Sequence, residues 1–424
     1  VTPFESHLPH WTRSTLRNIA PRYTTAVDFA PDDLVWNLTL DQITGGTGAI
    51  INRQQTTYAE AGSSSFIFDE ETVLYSKLRP YLNKVAWPRE RGVATTELVP
   101  LKPDPEVMLP AYLAHYLRSH TFLNYISNRV AGAKMPRVVM DEFWAHEVPH
   151  PADLREQARI VELLDQADAL RRQRAEADAK LARLLPALFR HHFGDPLEGN
   201  VPFKTESLGS LLSSIDSGDS PRCLDRQARP DEWSVLKLGA VTWGRFDDAQ
   251  NKALPDDISP DTSLEVRAGD LLFARKNTLE LVGATALVRD TRSKLLLPDL
   301  IFRLVPRDDG KLTKEYLWCL LSQPSMRSRL RSIASGAAGS MPNISKGRLE
   351  GIEIPLPPIA TQRIFSRQVH AALDMETQAA ASATKLETLF QTLLHRAFTG
   401  ELTARWREAH LREGVQELSR LSRA

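Results

Sequence analysis

Met135-Pro136 through Glu147-Val148-Pro149 returns 206 residues later as Met341-Pro342 through Glu353-Ile354-Pro355. The correspondence extends outward from that pair. Each copy is followed by a proline-containing turn, Pro149-His150-Pro151 or Pro355-Leu356-Pro357-Pro358, then by a glutamine and a long helical pattern. Within the helical stretch the row Ile160, Ala167, Arg174, Leu181, Leu188 matches Phe365, Ala372, Ala379, Leu386, Leu393 at an offset of 205. Both patterns close on similar endings, Phe193-Gly194-Asp195 and Phe398-Thr399-Gly400-Glu401. Upstream the likeness is looser. Leu40-Asp41-Gln42-Ile43 pairs with Leu238-Gly239-Ala240-Val241, and Leu74-Tyr75-Ser76-Lys77 with Leu272-Phe273-Ala274-Arg275, both at 198. Pro110 to Leu113 resembles Lys314 to Leu317, and Trp11 to Leu16 resembles Phe203 to Leu208. The drifting offset means two halves on one plan that differ by loop insertions.

Apolar side chains at heptad spacing predict a long helix over about 155–192, with Ile160, Leu163, Ala167, Leu170, Ala177, Leu181, Leu184 and Leu188 on one seam. Glycine is absent there and Arg, Glu, Ala and Leu predominate, which suits a helix. Pro186 is expected to kink or end it near its last turns. A second helix over about 361–397 carries the seam Phe365, Val369, Ala372, Ala379, Ala383, Leu386, Phe390, Leu393. Either stripe alone reads as a packed core helix; two matched ones in one chain can satisfy each other by antiparallel pairing. The segments ahead of each helix mix short strand-like runs (Val73 to Tyr75, Gly269 to Phe273, Ala284 to Val288) with helices at Ala111 to Arg118 and Tyr316 to Leu321. The expected fold class is therefore α+β: two globular domains with a pseudo-two-fold internal repeat, each followed by a long helix, the helices pairing as an antiparallel coiled coil. The expected boundaries are a first domain at 1–150, a central helix at 151–195, a second domain at 196–358, a C-terminal helix at 359–400 and a tail at 401–424.

Composition narrows the function classes. With 53 basic and 53 acidic residues the chain is neutral, which lowers any expectation of nucleic-acid binding unless basic groups gather on one face. Two distant cysteines, Cys223 and Cys319, suit a reduced, cytoplasmic protein. No segment approaches the roughly 18 apolar residues of a membrane span. No catalytic motif is legible: there is no Walker A sequence, no His-Glu-x-x-His, no Asp/Asn-Pro-Pro-aromatic run and no Glu-x-Lys. Thr44-Gly45-Gly46-Thr47-Gly48 lacks the lysine of a phosphate loop and reads as a turn. His146, His150, His191 and His192 have no cysteine or carboxylate partners at ligand spacing, so neither a metal nor a cofactor is expected.

Two globular domains each followed by a long helix resembles the specificity subunits of type I restriction-modification systems, over essentially the whole chain. The most specific points are Ser340-Met341-Pro342-Asn343-Ile344-Ser345 leading to Ile354-Pro355-Leu356-Pro357-Pro358 and Gln362-Arg363-Ile364, the ending Ala397 to Thr403 with Trp406-Arg407, and Trp233 to Gly239. The first half departs from the pattern with Lys134-Met135-Pro136-Arg137 and with Leu40-Asp41 in place of Leu-Gly. The resemblance implies a non-catalytic subunit whose two target-recognition domains each read one half of a split site in double-stranded DNA. Its paired helices would act as a spacer and dock two modification (methyltransferase) subunits, with restriction subunits joining. A hydrolase acting alone would instead need a carboxylate or histidine cluster. A coiled-coil scaffold with two protein-binding domains would change its protein partner, not its DNA motif, on domain exchange.

Within that reading the candidate DNA contacts are Ser76, Lys77, Arg79 and Lys84 in the first half, matched by Arg275, Lys276 and Asn277 in the second. A second group lies in the glycine-rich stretches, Lys134 and Arg137 and then Ser340, Asn343 and Lys346, where backbone N–H groups can approach phosphates. Solvated loops and a plain domain-to-helix hinge are the competing accounts. The helix-pairing seam comprises Ile160, Ala167, Leu181, Leu188, Phe365, Ala372, Ala379, Leu386 and Leu393.

Overall fold

Asp153 starts the first long helix, its carboxylate accepting the Arg155 N–H at 2.8 Å. The helix then runs over Leu154–Leu181 without a glycine or proline. It breaks at residues 182–183 and resumes over Leu184–Phe193. Pro186 explains the break one turn ahead of itself: it offers no N–H to the Ala182 carbonyl, and its ring crowds that oxygen. Gly194, at φ +72°, ends the second piece. The other long helix spans Ile359–Phe398 unbroken, and Gly400, at φ +76°, stands just past its end. Pro186→Ala is expected to fuse the two pieces of the first helix, slowing hydrogen exchange at amides 183–187. The gain should be about 1–3 kcal/mol, read from exchange rates before and after the substitution.

The computed structural model describes residues 11–23, 29–62, 65–132, 134–197, 203–336 and 341–421. The chain divides into two units: one holds residues up to Glu176 together with those from Ala380 onward, the other Ala177–Ala379. The division does not follow the helix boundaries expected from the sequence, because each unit takes one stretch of both long helices.

In the first unit, a four-stranded sheet orders Gln55–Thr57, Leu34–Leu38, Gly92–Thr95 and Ser65–Phe68. A three-stranded sheet orders Val85–Ala86, Val73–Ser76 and Leu98–Leu101. Helices Pro110–Arg118 and His120–Ser127 pack on the latter through Tyr112, Tyr116, Phe122 and Ile126, all buried. Ile160, Leu164 and Ala167 share this core with Phe390, Leu394, Ala397 and Phe398. Arg171 joins the same two stretches of helix, 2.8 Å from the Glu387 carboxylate with its guanidinium 4.1 Å from the Phe390 ring.

The second unit has its own four-stranded sheet, ordered Leu212–Ser217, Ile301–Pro306, Leu271–Ala274, Thr285–Leu287. Its three-stranded sheet orders Asn251–Ala253, Ser234–Leu236, Leu295–Leu296. Phe189 and Phe193 pack with Tyr316, Phe365, Val369 and Leu373, with the Phe193 ring edge-on to Tyr316 at 4.9 Å and to Phe365 at 5.1 Å.

Several polar bonds recur in both units. Strand Trp11–Thr15 pairs antiparallel with Glu147–Pro151, and Thr205–Ser207 with Glu353–Pro355. The Tyr112 hydroxyl donates to the Pro149 carbonyl at 2.8 Å, and that of Tyr316 to Pro355 at 2.7 Å. Fully buried Gln157 accepts from Leu109 N–H and donates to the Val107 and Pro151 carbonyls. Gln362, equally buried, accepts from Thr313 N–H and donates to Lys311 and Pro357. Each glutamine thus fastens the proline turn to the loop ahead of the globular part's main helix, saturating buried backbone groups that would otherwise be costly.

The expected seam needs one correction. Ile160, Ala167, Phe365, Ala372 and Ala379 are buried, and Leu181, Leu188, Leu386 and Leu393 half-buried. Leu170, however, is 49% exposed, and Leu164 rather than Leu163 is the fully buried leucine. A helix of 3.6 residues per turn places i+4 from Ile160 on the covered side, whereas strict heptad counting chose i+3.

Candidate nucleic-acid interface

In the first unit, strand Val73–Ser76 runs into a turn over residues 77–84, and a two-stranded hairpin, Val130–Ala131 with Arg137–Val138, comes back beside it. The two are stitched by backbone bonds. Arg79 N–H donates to Pro136 O at 2.8 Å, Val138 N–H to Lys77 O at 2.9 Å, and Leu78 bridges Arg137. Arg79 and Asn83 adopt left-handed backbone, φ +50° and +49°, a conformation that costs of order 1 kcal/mol for a non-glycine residue and persists only when its surroundings enforce it. Two candidate groups lying some fifty residues apart in sequence therefore form one surface feature.

The second unit makes the same junction. Ile344 N–H donates to Arg275 O at 2.8 Å, Asn277 N–H to Pro342 O at 3.3 Å, and Lys276 bridges Asn343. The Arg275 Nε donates to Asn343 Oδ1 at 3.0 Å, and its guanidinium lies 5.1 Å from the Phe302 ring centre. The Lys346 ammonium approaches the same ring at 5.7 Å. Phe302 thus supports two cations on one side of this loop.

The candidate side chains divide by what holds them. Ser76 is buried, its hydroxyl donating to Leu78 O at 2.9 Å. Asn277 is buried too: its Oδ1 accepts from Thr278 N–H and its Nδ2 donates to the Thr242 hydroxyl at 3.4 Å. Lys84 donates to Leu40 O. These three shape the loops, because their polar ends are occupied within the fold. Arg137 forks onto Glu97, with Nη2 to Oε1 at 3.0 Å and Nε to Oε2 at 3.3 Å. That pair is exposed and weak enough for a phosphate to compete with it. Among the described residues, the heads of Lys77, Arg79, Lys134 and Lys276 have no ion pair or hydrogen bond, and Arg79 and Lys134 are exposed. Ser340 lies outside the described residues.

The sequence reading missed Glu97 as the partner of Arg137, and it gave no role to Gln157 and Gln362 although both follow the repeated proline turns. It also passed over Trp243, 80% exposed beside Thr242. Among the described residues, no three His, Cys, Asp or Glu side chains gather as metal ligands would. His146 bonds the Tyr116 hydroxyl at 2.7 Å, and burial together with Arg129 and Arg13 pushes it down to about 4, so the ring is neutral at neutral pH. His150 is held by Thr12 and Ser14. Cys223 and Cys319 are both free thiols, and burial pushes Cys319 well above the ordinary thiol range. Among the described residues no helix is long and apolar enough to cross a membrane.

No family model matches the chain. Among curated proteins it is similar to the type I restriction enzyme EcoEI specificity subunit of Escherichia coli, at 33% identity over 168 residues, 39% of this chain and 28% of that protein. It is similar also to the EcoKI specificity subunit of Escherichia coli K12, at 28% identity over 72% of this chain and 68% of the relative. The StySPI specificity subunit of Salmonella potsdam matches at 26% with the same coverages. The chain thus spans little more than a quarter of the EcoEI subunit's length and about two thirds of the other two. In fold it resembles the S subunit of the type I restriction-modification system from M. genitalium, with a TM-score of 0.55, 13% identity and coverage of 92% of this chain and 96% of that one. A chain from a structural study of type I R-M complex assembly and conformational transition gives a TM-score of 0.57 at 20% identity, covering 93% and 99%. The curated relatives named here are all specificity subunits of type I restriction enzymes, and the chain is similar to each of them.

Proposed function

We propose that this chain is the DNA sequence-recognition subunit of a type I restriction-modification complex and performs no chemistry itself. One observation carries the reading: both units build the same junction, a strand-end loop bearing Lys77 and Arg79 or Arg275 and Lys276, fastened to the residues after a Met-Pro pair. Cations held on an ordered backbone are what phosphate positioning and base-edge readout require. The globular parts, 1–150 and 196–358, act as target-recognition domains, one for each half of a bipartite site. The halves share a scaffold and differ in side chains, Lys77-Leu78-Arg79 against Lys276-Asn277, so the site is asymmetric. The helical segments 151–195 and 359–400 pair antiparallel as a spacer. The reading is supported by the Arg171–Glu387 ion pair in one unit and the Phe189 and Phe193 packing on Phe365 in the other. A spacer of fixed length sets a fixed number of unread base pairs, as dimer geometry does for other DNA readers. Covalent linkage raises the effective concentration of the second reader once the first is bound. Two modification subunits dock on this frame, restriction subunits complete the cleaving assembly, and the complex works in the cytoplasm on double-stranded DNA.

Methylation-aware sequencing of a host expressing the chain with its modification subunit is the test. The expected result is a single bipartite, asymmetric methylated motif, of which one half changes when residues 196–358 are exchanged for those of another specificity subunit. Methylation with unchanged preference by a complex lacking this chain would overturn the reading.

A further inference from the structure

The helix Pro110–Arg118 carries a polar chain that begins on the first long helix and ends in the turn that holds Arg79. The Asp165 carboxylate lies 2.8 Å from His115 Nε2, and His115 Nδ1 lies 3.1 Å from Arg118 Nη2. A guanidinium only donates, so Nδ1 accepts and Nε2 carries the proton given to Asp165. Burial, the largest influence on the ring, holds His115 below the ordinary histidine range and favours this neutral form. Arg118 goes on to donate through Nη1 to the Thr47 carbonyl and through Nε to the Ala114 carbonyl. Its own carbonyl accepts from Asn83 Nδ2 at 2.9 Å, and Asn83 O accepts from Gly46 N–H at 2.8 Å.

This arrangement accounts for the glycine-rich stretch Thr44 to Gly48, to which the sequence assigned only a turn. A Cβ on Gly45 would stand 2.2 Å from Leu82 O, and one on Gly48 would stand 2.2 Å from Val85 O and 3.0 Å from the Arg118 guanidinium. Gly46 and Gly48 also hold left-handed backbone, φ +74° and +69°. Only glycine lets the stretch lie flat on the turn of Arg79 to Asn83, and Arg118 pins both from behind. The second unit does not repeat this chain: the repeat puts Cys319 and Ser322 where His115 and Arg118 stand, and the turn after Asn277 is held instead by Arg327, from the next helix, which donates to the Glu280 and Val282 carbonyls. Ser322 there donates only to Trp318 O and bonds the Thr285 hydroxyl.

We infer that Arg118 is a positioning residue for DNA recognition by the first unit alone, holding the Arg79 turn and the 44–48 loop in reading geometry through the Asp165–His115–Arg118 chain. The inference rests on the reading of the 76–84 turn as a DNA contact.

The test uses the complete complex with its modification subunits and duplexes substituted at single positions in one half-site or the other. Arg118→Ala is expected to reduce discrimination about tenfold at positions in one half and leave the other half at wild type. Asp165→Ala, a half-exposed helix position that does not threaten folding, is expected to loosen the same half by a smaller factor. Arg118→Lys, which can still reach one carbonyl, should recover part of the loss. Equal loosening of both halves, or no loosening in either by folded complexes, would overturn the inference. A wild-type complex without a bipartite motif would sink the underlying reading instead, and this inference with it.

Discussion

Glu156→Ala is expected to destabilise the first unit by about 3 kcal/mol or more. Glu156 is buried, and its Oε1 accepts from Trp11 Nε1 at 3.2 Å, from the Thr403 hydroxyl at 2.7 Å and from Arg407 Nη2 at 2.8 Å. One carboxylate therefore gathers the first strand, the start of the long helix and the segment after the second helix. Removing it strands the Arg407 guanidinium, largely buried, with the Gly400 carbonyl as its remaining acceptor. An uncompensated buried cation dominates the cost, and the lost hydrogen bonds to Trp11 and Thr403 add to it. Urea denaturation with limited proteolysis checks this. Cleavage between residues 399 and 410 should appear at lower urea in the variant, whereas the second unit's transition stays in place. Glu156→Gln, which keeps the shape and one acceptor, should fall between. A wild-type cleavage profile for Glu156→Ala would mean that this ion pair carries no stability.

Arg275→Ala is expected to lower the affinity of the assembled complex for its DNA site by about 10- to 100-fold. The guanidinium is held by Asn343 and the Phe302 ring, which fixes its direction before any DNA arrives, so little ordering entropy is lost on contact. Lys276→Ala should behave differently. Losing a lysine that rests on a phosphate weakens binding to all sequences alike and flattens the salt dependence by about one unit of slope. Titrations at several salt concentrations, on cognate and substituted duplexes, separate the two. If Arg275→Ala left cognate affinity at wild type while the complex remained assembled, the second junction would not be a contact.

The sequence made the repeat legible because hinge and helix positions answer to packing, which constrains residue type at fixed spacing. The endings at Phe193 and Phe398, both buried, survive in both halves for that reason. The strands at 73–76 and 271–274 and the helices at 110–118 and 314–322 fell where the apolar runs put them. What stayed hidden was tertiary. Nothing in the local pattern of Asn277 or Ser76 tells that their polar ends turn inward, since a loop asparagine facing solvent has the same neighbours in sequence. The pairing of Arg137 with Glu97 and of Glu156 with Arg407 joins residues far apart along the chain, which periodicity cannot see. Leu164 displaced Leu163 because a straight helix drifts against a seven-residue count.

The first unit is discontinuous: Phe390, Leu394, Ala397 and Phe398 complete a core whose other members precede residue 177. During synthesis the ribosome must add roughly two hundred residues before that closing stretch appears. At about 5–20 residues per second the wait is roughly 10–40 s. Through that interval Tyr112 and Tyr116 lack the Phe398 ring that later packs edge-on against them at 5.4 and 5.1 Å. The half of the chain made first is therefore the half finished last, and a truncated message would release it with its aromatic face open to any sticky neighbour.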